Sequence, residues 1–314
     1  MHYKIGIIGL GSIGIRHLKN LQDILIEKGC TFCLDAIRHD NSNQIEASVQ
    51  DKLNAIYVLD EAIPDDYDIL FVTNPTSMHY STIQRFARNT KHMFIEKPVF
   101  SSTNLSLQDL GLLDGSQYYV ACPLRYKKVL QYLKSQDLIH EAISVRVICS
   151  SFLPDWRPGK DYRETYSAHL AQGGGVAIDL IHEWDYITYL FGEPEEVKSI
   201  ISKVSSLEID SDDLAVYIAK YPSMVLELHL DYFGRVPKRT MEIFTINDVI
   251  IVDLLSDSIR FLREGTNMDF PEDRDSYQKR ELQHFFNIIE KRENNDNSII
   301  NAQKILKLAR GATV

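Results

Sequence analysis

His182 and Asp179 are the residues whose types and spacing most directly suggest catalysis. They lie three positions apart, and on a continuous helix this spacing places both side chains on one face. An imidazole that titrates near neutral pH can take the hydroxyl proton of an alcohol, and a neighbouring carboxylate can orient the ring or stabilise its cation. The alternative is structural, with an aspartate that caps a helix and a histidine buried in the core.

A glycine-rich segment near the N-terminus suggests a second kind of chemistry, the binding of a dinucleotide. The pattern G-x-G-x-x-G lies between a predicted strand over residues 4–8 and a predicted helix over 13–28. There the first glycine makes a tight turn, the second lets the backbone approach a pyrophosphate at the helix start, and the third allows close packing. Without a ligand, the pattern would be an ordinary glycine-rich turn. The predicted cofactor loop comprises Gly9, Gly11, Ser12, Ile13 and Gly14.

The expected cofactor is NAD(P), and Arg38 favours NADP. In this kind of fold an acidic residue at the end of the second strand binds the ribose 2′-hydroxyl of NAD, whereas a basic residue suits the 2′-phosphate of NADP. Residues 31–37 predict that strand, and Arg38 follows it directly. A longer strand would bring Asp40 to this position and favour NAD, and Arg38 would then be an exposed cation near the adenine.

The elements that must position these residues follow two patterns. The first third alternates short apolar runs with amphipathic stretches, which predicts a parallel sheet covered by helices. Its further predicted elements are strands over 69–72, 92–95 and 118–121 and a helix over 81–88. Beyond the Cys122–Pro123 junction the apolar residues alternate at period two, which predicts a largely antiparallel sheet. These predicted strands are residues 143–149, 214–219, 225–231 and 241–246.

The predicted fold class is therefore α/β with two domains. An N-terminal Rossmann domain covers residues 1–122, and a C-terminal α+β domain built on a largely antiparallel open sheet covers 123–314. We expect the second domain to bind substrate and to form homodimers or homotetramers, because one face of its sheet is left for water or a second subunit.

Composition narrows the classes of function. The net charge of −10 argues against binding of nucleic acid, and no apolar run is long enough for a membrane span. The first residues predict a strand rather than a secretory signal, so we expect a cytoplasmic protein. Cys30 and Cys33 form a C-x-x-C at a predicted helix-to-strand junction, which favours two ordinary buried thiols over a redox pair or a metal site.

Four motifs in order resemble the family of glucose–fructose oxidoreductase, inositol dehydrogenase and rhizopine catabolism, usually written Gfo/Idh/MocA. They are the glycine loop, the segment Asn74–His79, the tripeptide Glu96-Lys97-Pro98 and the segment Gly173–His182. Their joint occurrence is far more specific than any single motif. The W-R-P-G-x-D-Y-R segment at 156–163 and the G-G-G-x-x-x-D-x-x-H-E segment at 173–183 together resemble a branch of this family that is linked to surface-polysaccharide sugars.

The resemblance implies roles for particular residues. Lys97 polarises or protonates the reacting oxygen, and a cis peptide bond before Pro98 aims the lysine at the substrate; by itself Lys97 would be a surface lysine. The family most often has one more residue between the aspartate and the histidine, which leaves open whether His182 or Lys97 is the base. The implied cofactor contacts are Thr73, Asn74, His79, Glu96 and Lys97, and an implied substrate contact is Arg125.

The segment Asp155–Tyr166 carries three cations and three aromatic residues, which is unusual in an acidic protein. Arginine presents a planar fork to a phosphate or carboxylate, and Trp or Tyr can stack on a sugar or base. We hypothesise that this loop closes over an anionic substrate, such as a nucleotide-activated or acidic sugar, through Trp156, Arg157 and Tyr162. The alternative is a solvated loop whose acidic residues balance the cations.

The sequence thus predicts an NAD(P)-dependent dehydrogenase or reductase that acts on a CH–OH group of a sugar, cyclitol or nucleotide sugar. Within enzymes, the resemblance also admits reductases of imines or dihydrodiols and redox-neutral members that recycle the nicotinamide. From another class, a non-catalytic NADP-sensing module would need only the glycine loop. The joint presence of Lys97, Asp179 and His182 argues against such a sensor.

Overall fold

The computed structural model describes residues 1–40, 44–59, 62–136 and 141–312. The chain divides into two compact units, of which the first comprises Met1–Ala121 with Gln278–Gln303 and the second Cys122–Tyr277 with Lys304–Val314. This division differs from the contiguous pair 1–122 and 123–314, because a late segment returns to the first unit. The functional assignment of the two domains stays a prediction.

A six-stranded parallel sheet forms the first unit, in the order β3-β2-β1-β4-β5-β6. The strand order reverses between β1 and β4, which is the point where sheets of this kind bind nucleotides. β4 is buried along its whole length, as expected where helices cover both faces of a parallel sheet. The strands are β1 His2–Ile8, β2 Thr31–Arg38, β3 Ala55–Val58, β4 Ile69–Val72, β5 His92–Ile95 and β6 Gln117–Val120.

An eight-stranded sheet forms the second unit, in the order β14-β13-β12-β11-β7-β10-β9-β8. Neighbouring strands are antiparallel except for β7 and β10, which are parallel, so a largely antiparallel sheet is confirmed. The strands are β7 Ala142–Phe152, β8 Glu196–Ser202, β9 Leu214–Lys220, β10 Val225–Asp231, β11 Phe233–Thr245, β12 Val249–Asp253, β13 Ser258–Phe261 and β14 Thr266–Asp269.

Eight α-helices are present in the described residues. The helix that carries Phe285 belongs largely to the late segment that returns to the first unit. Phe285 packs edge-on against Phe94 and Phe71 of the first sheet, with ring centroids 5.4 and 6.3 Å apart. Within the described ranges, no helix combines the length and apolar character needed to cross a membrane. The helices are α1 Ser12–Glu27, α2 Ala47–Gln50, α3 Thr76–Phe86, α4 Lys128–Ser135, α5 Val176–Asp179, α6 His182–Phe191, α7 Arg274–Ile289 and α8 Ile299–Ala309.

Three predicted strands have the observed bounds: residues 69–72, 92–95 and 225–231. The predicted helix over 81–88 begins earlier, at Thr76, because Pro75 is compatible with the helix start and needs no N–H partner. The strand predicted over 241–246 is the end of the longer β11. Strands β3, β8 and β12 to β14 and helix α7 have no counterpart among the sequence predictions, since their short or polar segments lack a clear period.

Candidate active site

The glycine loop forms a tight turn between β1 and α1. Gly9 has a φ of +92°, and a Cβ there would lie 2.8 Å from the backbone of Asn74. At Gly14 a Cβ would lie 2.0 Å from the Gly9 carbonyl oxygen, so only a residue without a side chain lets the helix approach this closely. Thr73 closes the turn, because its hydroxyl donates to the carbonyls of Ile8 and Gly9 at 2.9 and 2.6 Å.

Gly11 differs from the other two glycines of this loop. No atom of the described residues lies within 4 Å of the position its Cβ would take, and its φ of −73° suits any residue. Packing within the chain therefore does not require a glycine here, whereas a pyrophosphate that comes against the backbone would. Gly11, Ser12 and Ile13 also lie at the start of α1, where backbone N–H groups lack intrahelical partners. The loop fits the phosphates of a dinucleotide.

Arg38 is the last residue of β2, which is one residue longer than the predicted strand over 31–37, and Asp40 lies two positions beyond it on the surface. The Gly9 N–H donates to the carbonyl of Ile37 at 3.0 Å. The end of β2 therefore lies beside the glycine loop.

His79 links the loops that follow β4 and β5. Its ring is 1% exposed, with Nε2 lying 2.9 Å from the Asn74 carbonyl oxygen and Nδ1 lying 3.1 Å from that of Pro98. Burial lowers the pKa of this imidazole, so it is neutral at physiological pH. The resemblance implies that His79 contacts the cofactor. In the structure its two ring nitrogens face the backbone of two site loops.

Glu96 is held by His17 of α1, a residue that no motif in the sequence indicates. Nε2 of His17 lies 2.6 Å from Oε1 of Glu96, and Oε2 accepts the backbone N–H of Lys97 at 3.2 Å. Burial by itself would raise the pKa of Glu96, but the hydrogen bond from His17 and the electrostatic contacts with His17 and Lys97 lower it. The carboxylate is therefore ionised. The Lys97–Pro98 bond is cis, which confirms the implied peptide geometry.

Asp179 and His182 lie on two helices, and this corrects the expectation of one shared helix face. α5 ends at Asp179 and α6 begins at His182, because Leu180, with φ −95° and ψ 26°, leaves the helical conformation between them. His182 is half-buried, whereas residues 183–187 are buried. The histidine is thus the accessible side chain at the start of α6.

The carboxylate of Asp179 is buried and accepts hydrogen bonds from two phenols. The Tyr232 hydroxyl donates to Oδ2 at 2.6 Å, and the Tyr166 hydroxyl also hydrogen-bonds to this carboxylate. Desolvation and the charge of Asp179 raise the pKa of both phenols, so each remains a protonated donor. These contacts fix the orientation of the carboxylate next to the helix that carries His182.

Two buried ion pairs hold the first turn of α6, directly after His182. Arg239 donates from Nε to Oε1 of Glu183 at 3.0 Å. Arg125 binds Asp185 with both arms of its guanidinium, at 3.0 and 2.7 Å. Breaking a buried pair of this kind leaves an uncompensated charge, so both pairs restrain the helix strongly. The resemblance implies that Arg125 contacts the substrate. In the structure its guanidinium is bound to Asp185.

One cation of the segment 155–166 is neutralised by two carboxylates. Arg163 binds Asp161 at 2.7 Å and Glu208 at 2.6 Å, as the alternative of a solvated loop predicts. The predicted substrate residue Tyr162 accepts the backbone N–H of Glu208 with its hydroxyl at 3.2 Å. This part of the segment is occupied by its own contacts.

At the start of this segment, Trp156 and Arg157 contact tyrosine rings. Trp156 donates from its indole N–H to the Ser151 hydroxyl at 2.9 Å, and its ring packs edge-on against Tyr232 with centroids 5.2 Å apart. The guanidinium of Arg157 lies over the ring of Tyr166, 5.5 Å from the centroid. Trp156 and Arg157 thus contact the two tyrosines that bind Asp179.

The structure gathers the predicted residues in two groups. In the first unit the glycine loop, Asn74 and Lys97 follow the adjacent strands β1, β4 and β5, and in the second unit Asp179 has Tyr166 and Tyr232 as partners. Among the residues described, no group of His, Cys, Asp or Glu side chains is arranged to hold a metal ion. Three further site residues have no local sequence pattern that indicates them, because their partners lie 79, 53 and 56 positions away: His17, Tyr232 and Arg239.

Two family descriptions match this chain. Residues 3–110 match the Gfo/Idh/MocA oxidoreductase family with an NAD-binding Rossmann fold, and residues 141–245 match the Gfo/Idh/MocA C-terminal domain. Both matches agree with the two sheets described above.

Three characterised or named relatives show partial similarity. Myo-inositol 2-dehydrogenase of Thermotoga maritima is 26% identical over 239 residues, which are 71% of this chain and 66% of that protein. Oxidoreductase YrbE of Bacillus subtilis is 27% identical over 209 residues, 64% of this chain and 57% of that one. 2,7-Anhydro-N-acetylneuraminate hydratase of Escherichia coli is 25% identical over 163 residues, 50% of this chain and 43% of that one. The matched part is less than two thirds of each relative.

Solved structures share the fold over the whole chain. UDP-N-acetylglucosamine 3-dehydrogenase of Acidithiobacillus ferrooxidans superposes with a TM-score of 0.74 at 19% identity, covering 100% of this chain and 97% of that one. Levoglucosan dehydrogenase, in complex with NADH and levoglucosan, superposes with a TM-score of 0.83 at 15% identity, covering 99% and 96%.

Proposed function

The chain belongs to the Gfo/Idh/MocA oxidoreductase family, and on that premise we propose that it is a nicotinamide-dependent dehydrogenase. It transfers a hydride between NAD(P) and a secondary alcohol or ketone of a sugar, cyclitol or nucleotide sugar. One arrangement in the first unit carries the proposal. The loop that fits phosphates follows β1, and Lys97, whose backbone is fixed by Glu96 and His17, follows β5 on the same edge of the sheet.

The residues that would hold the cofactor are Gly11, Ser12 and Ile13 at the pyrophosphate, with Thr73 and Asn74 at the neighbouring strand end. His79, which faces the backbone of two loops, positions Asn74 and Pro98 rather than contacting a ligand. When bound, the nicotinamide accepts a hydride from the alcohol carbon or returns it to the ketone.

The chain's own side chains handle the proton. In the oxidative direction His182 takes the proton of the substrate hydroxyl, with Lys97 as the alternative base. Asp179, fixed by Tyr166 and Tyr232, is the carboxylate that orients the imidazole. In the reductive direction the same group returns the proton to the oxygen. The rigid start of α6 keeps this group in one orientation.

For the choice of cofactor, Arg38 at the end of β2 supports NADP, because a guanidinium suits a 2′-phosphate. Levoglucosan dehydrogenase, which shares the fold, is described with NADH. The test is the ratio of kcat/KM with NADP to kcat/KM with NAD. This ratio should exceed one in the natural chain. It should fall by about tenfold in Arg38→Ala, as expected for the loss of one charge-assisted contact. An unchanged ratio would remove the support for NADP.

The partial match to a protein named as a hydratase favours a second candidate function. This candidate is a redox-neutral reaction in which the nicotinamide is oxidised and reduced within one turnover. Both candidates use the same cofactor loop and Lys97. They differ in whether reduced cofactor accumulates.

The experiment is a substrate panel of free sugars, inositols and nucleotide sugars, incubated separately with NAD and NADP. Accumulation of reduced nicotinamide supports the dehydrogenase. Product detected by NMR without such accumulation supports the redox-neutral candidate. Binding of NADPH, measured by its fluorescence, with no product from any panel member would contradict both and favour a sensor. Assembly as a homodimer or homotetramer and action in the cytoplasm stay predictions.

A further inference from the structure

Four consecutive residues of the second unit, 210–213, join the three parts of the chain that surround the Asp179 carboxylate. They lie in the loop directly before β9. Because this carboxylate accepts hydrogen bonds from Tyr166 and Tyr232, three separate segments have to meet around it. The segment 210–213 hydrogen-bonds to each of them.

The first of these contacts is with the backbone that follows Tyr166. The Ser211 hydroxyl donates to the Ser167 carbonyl at 2.6 Å. The Asp210 N–H donates to the Ala168 carbonyl at 3.0 Å. Since Ser211 is 1% exposed, water does not compete for its hydrogen bond. The backbone that carries Tyr166 is therefore fixed by residues that lie far from it in the sequence.

Asp212 holds the start of the short helix α5, which ends at Asp179. Its Oδ2 accepts the N–H of Ala177 at 3.0 Å, and its backbone carbonyl accepts that of Val176 at 2.9 Å. These are the first two N–H groups of the helix, which have no partner within it. Because α5 has only four residues, whatever fixes its first turn also fixes Asp179.

Two glycines directly before α5 make room for these contacts. Gly175 has a φ of +125°, and a Cβ there would lie 2.3 Å from Oδ1 of Asp212. At Gly174 a Cβ would lie 2.2 Å from the Tyr166 carbonyl oxygen. A side chain at either position would push α5 away from its two anchors. The glycines of the motif at 173–182 are thus explained in part by Asp212, a residue that lies outside the motif.

Asp213 binds the third segment through its backbone. Its carbonyl accepts the N–H of Tyr232 at 3.0 Å. Its side chain is 0% exposed and accepts the N–H groups of Val204 and Ser205 at 2.7 and 3.0 Å. A buried carboxylate with several such donors is held in one position, and it holds the adjoining backbone with it. The backbone of Tyr232 and the helix that carries Asp179 are therefore set by neighbouring residues of one segment.

Asp212 also lies close enough to Asp179 for their charges to interact. Burial, and to a smaller extent the charge of Asp179, raises the pKa of Asp212. The Ala177 N–H and the Arg310 guanidinium, which lies 4.0 Å from Oδ1, oppose this effect. Two carboxylates that repel each other stay near each other only where both are held, so the hydrogen bonds on each of them are needed.

We propose that Asp212 is a positioning residue that holds the Asp179 carboxylate in its reactive orientation through the first N–H groups of α5. The inference rests on the proposed dehydrogenase function, in which Asp179 orients the imidazole of His182. Asp212 acts through the backbone and is assigned no contact with substrate or cofactor. A displacement of about 1 Å in an active site is enough to slow a reaction by about 10²-fold, so the loss of this anchor has a measurable effect.

The test compares Asp212→Ala and Asp212→Asn with a matched control, Asp248→Ala. Asp248 is another half-buried aspartate of this unit, and its Oδ1 accepts the backbone N–H groups of Val249 and Arg263 at 2.6 and 2.8 Å. Asp212→Ala should lower kcat by about 10- to 100-fold with little change in KM for the cofactor. Asp212→Asn retains an oxygen for the Ala177 N–H and should recover most of the loss. The control should keep the natural kcat.

A double substitution separates positioning from a purely structural role. In an Asp179→Asn background, Asp212→Ala should change kcat by less than about twofold, because its effect passes through the missing carboxylate. It should still lower the urea midpoint of unfolding as much as it does in the natural chain. Equal kcat losses in the two backgrounds, or an unchanged kcat in Asp212→Ala alone, would overturn the proposal.

Amide hydrogen exchange gives a readout that does not depend on turnover. The N–H of Ala177 should exchange about tenfold faster in Asp212→Ala than in the natural chain, as for loss of one hydrogen bond, and Asp212→Asn should restore most of the protection. Unchanged exchange at Ala177 would overturn the positioning role. If no sugar is converted but Ala177 exchanges faster, the proposed dehydrogenase function fails and the hold of Asp212 on the helix of Asp179 stands.

Discussion

Nε2 of His17 lies 2.6 Å from Oε1 of Glu96, and the other oxygen of that carboxylate accepts the backbone N–H of Lys97 at 3.2 Å. One buried pair thus connects the helix that follows the glycine loop to the proposed catalytic lysine. The His17 ring is 1% exposed and packs against Phe94, with centroids 5.0 Å apart, so it has little freedom to move.

Replacing His17 should therefore lower kcat through Lys97. His17→Leu fills similar space without a donor and should reduce kcat by about 10- to 100-fold, with KM for the cofactor nearly unchanged. His17→Gln retains a donor and should recover most of the loss. In a Glu96→Gln background the leucine substitution should add little, because its effect passes through the carboxylate. Additive losses, or no recovery by glutamine, would show that His17 acts only on stability.

Gly11 and Gly14 should respond to alanine in opposite ways. At Gly14 the new methyl group would overlap the Gly9 carbonyl oxygen, so we expect a loss of about 1–3 kcal/mol in the free energy of unfolding. At Gly11 the methyl group meets only open space, so stability should stay within about 0.5 kcal/mol while the Kd for NADPH rises about tenfold or more. Urea unfolding and fluorescence titration measure the two quantities. Equal cofactor affinity in Gly11→Ala would contradict the assigned phosphate site.

The Tyr232 hydroxyl should matter for catalysis as well as for stability. Tyr232→Phe leaves a buried carboxylate oxygen without its donor and should cost about 1–3 kcal/mol of stability and lower kcat about tenfold. The matched control is Tyr217→Phe, which removes another buried phenol hydrogen bond, to the Ala309 carbonyl at 2.6 Å. Its stability loss should be similar with kcat unchanged. A kcat loss of equal size in the control would mean that both effects are due to destabilisation.

Stability should depend on pH through His284. Nε2 of His284 lies 2.9 Å from Oδ1 of Asp296, and Nδ1 contacts Glu293. Burial alone would lower the pKa of this imidazole, but the hydrogen bonds to the two carboxylates raise it above its ordinary value. Because the folded-state pKa is raised, the stabilisation is complete below the unfolded pKa of about 6.5 and is lost as the pH rises through the folded pKa.

Urea unfolding of the natural chain and of His284→Gln at about pH 5.5 and about pH 9 measures this contribution. The stability difference between the two proteins should be about 1–2 kcal/mol larger at the lower pH. A difference that is the same at both values would contradict the assigned titration.

The sequence predicts the elements better than it predicts the contacts between them. Strands such as β4 and β10 have clear apolar patterns, and the glycine loop has an interpretable spacing, so their positions follow from local chemistry. The partners His17–Glu96 and Asp179–Tyr232 join distant parts of the chain and become evident only in three dimensions. The break at Leu180 was missed because Leu, Ile and Asp are all compatible with a helix, and the tertiary contacts of Asp179 override that local preference.

The most direct test of the proposed dehydrogenase is the rate of nicotinamide reduction by Lys97→Ala, with Lys91→Ala as the control. Lys91 is an exposed lysine of the same unit that pairs with Asp68 at 2.6 Å. On any substrate that the natural chain oxidises, Lys97→Ala should lose about 10²- to 10⁴-fold in kcat while its Kd for NADPH stays within about twofold, as for loss of a group that acts on the transition state. The control should keep the natural rate. A Lys97→Ala variant that turns over as fast as the control would contradict the account.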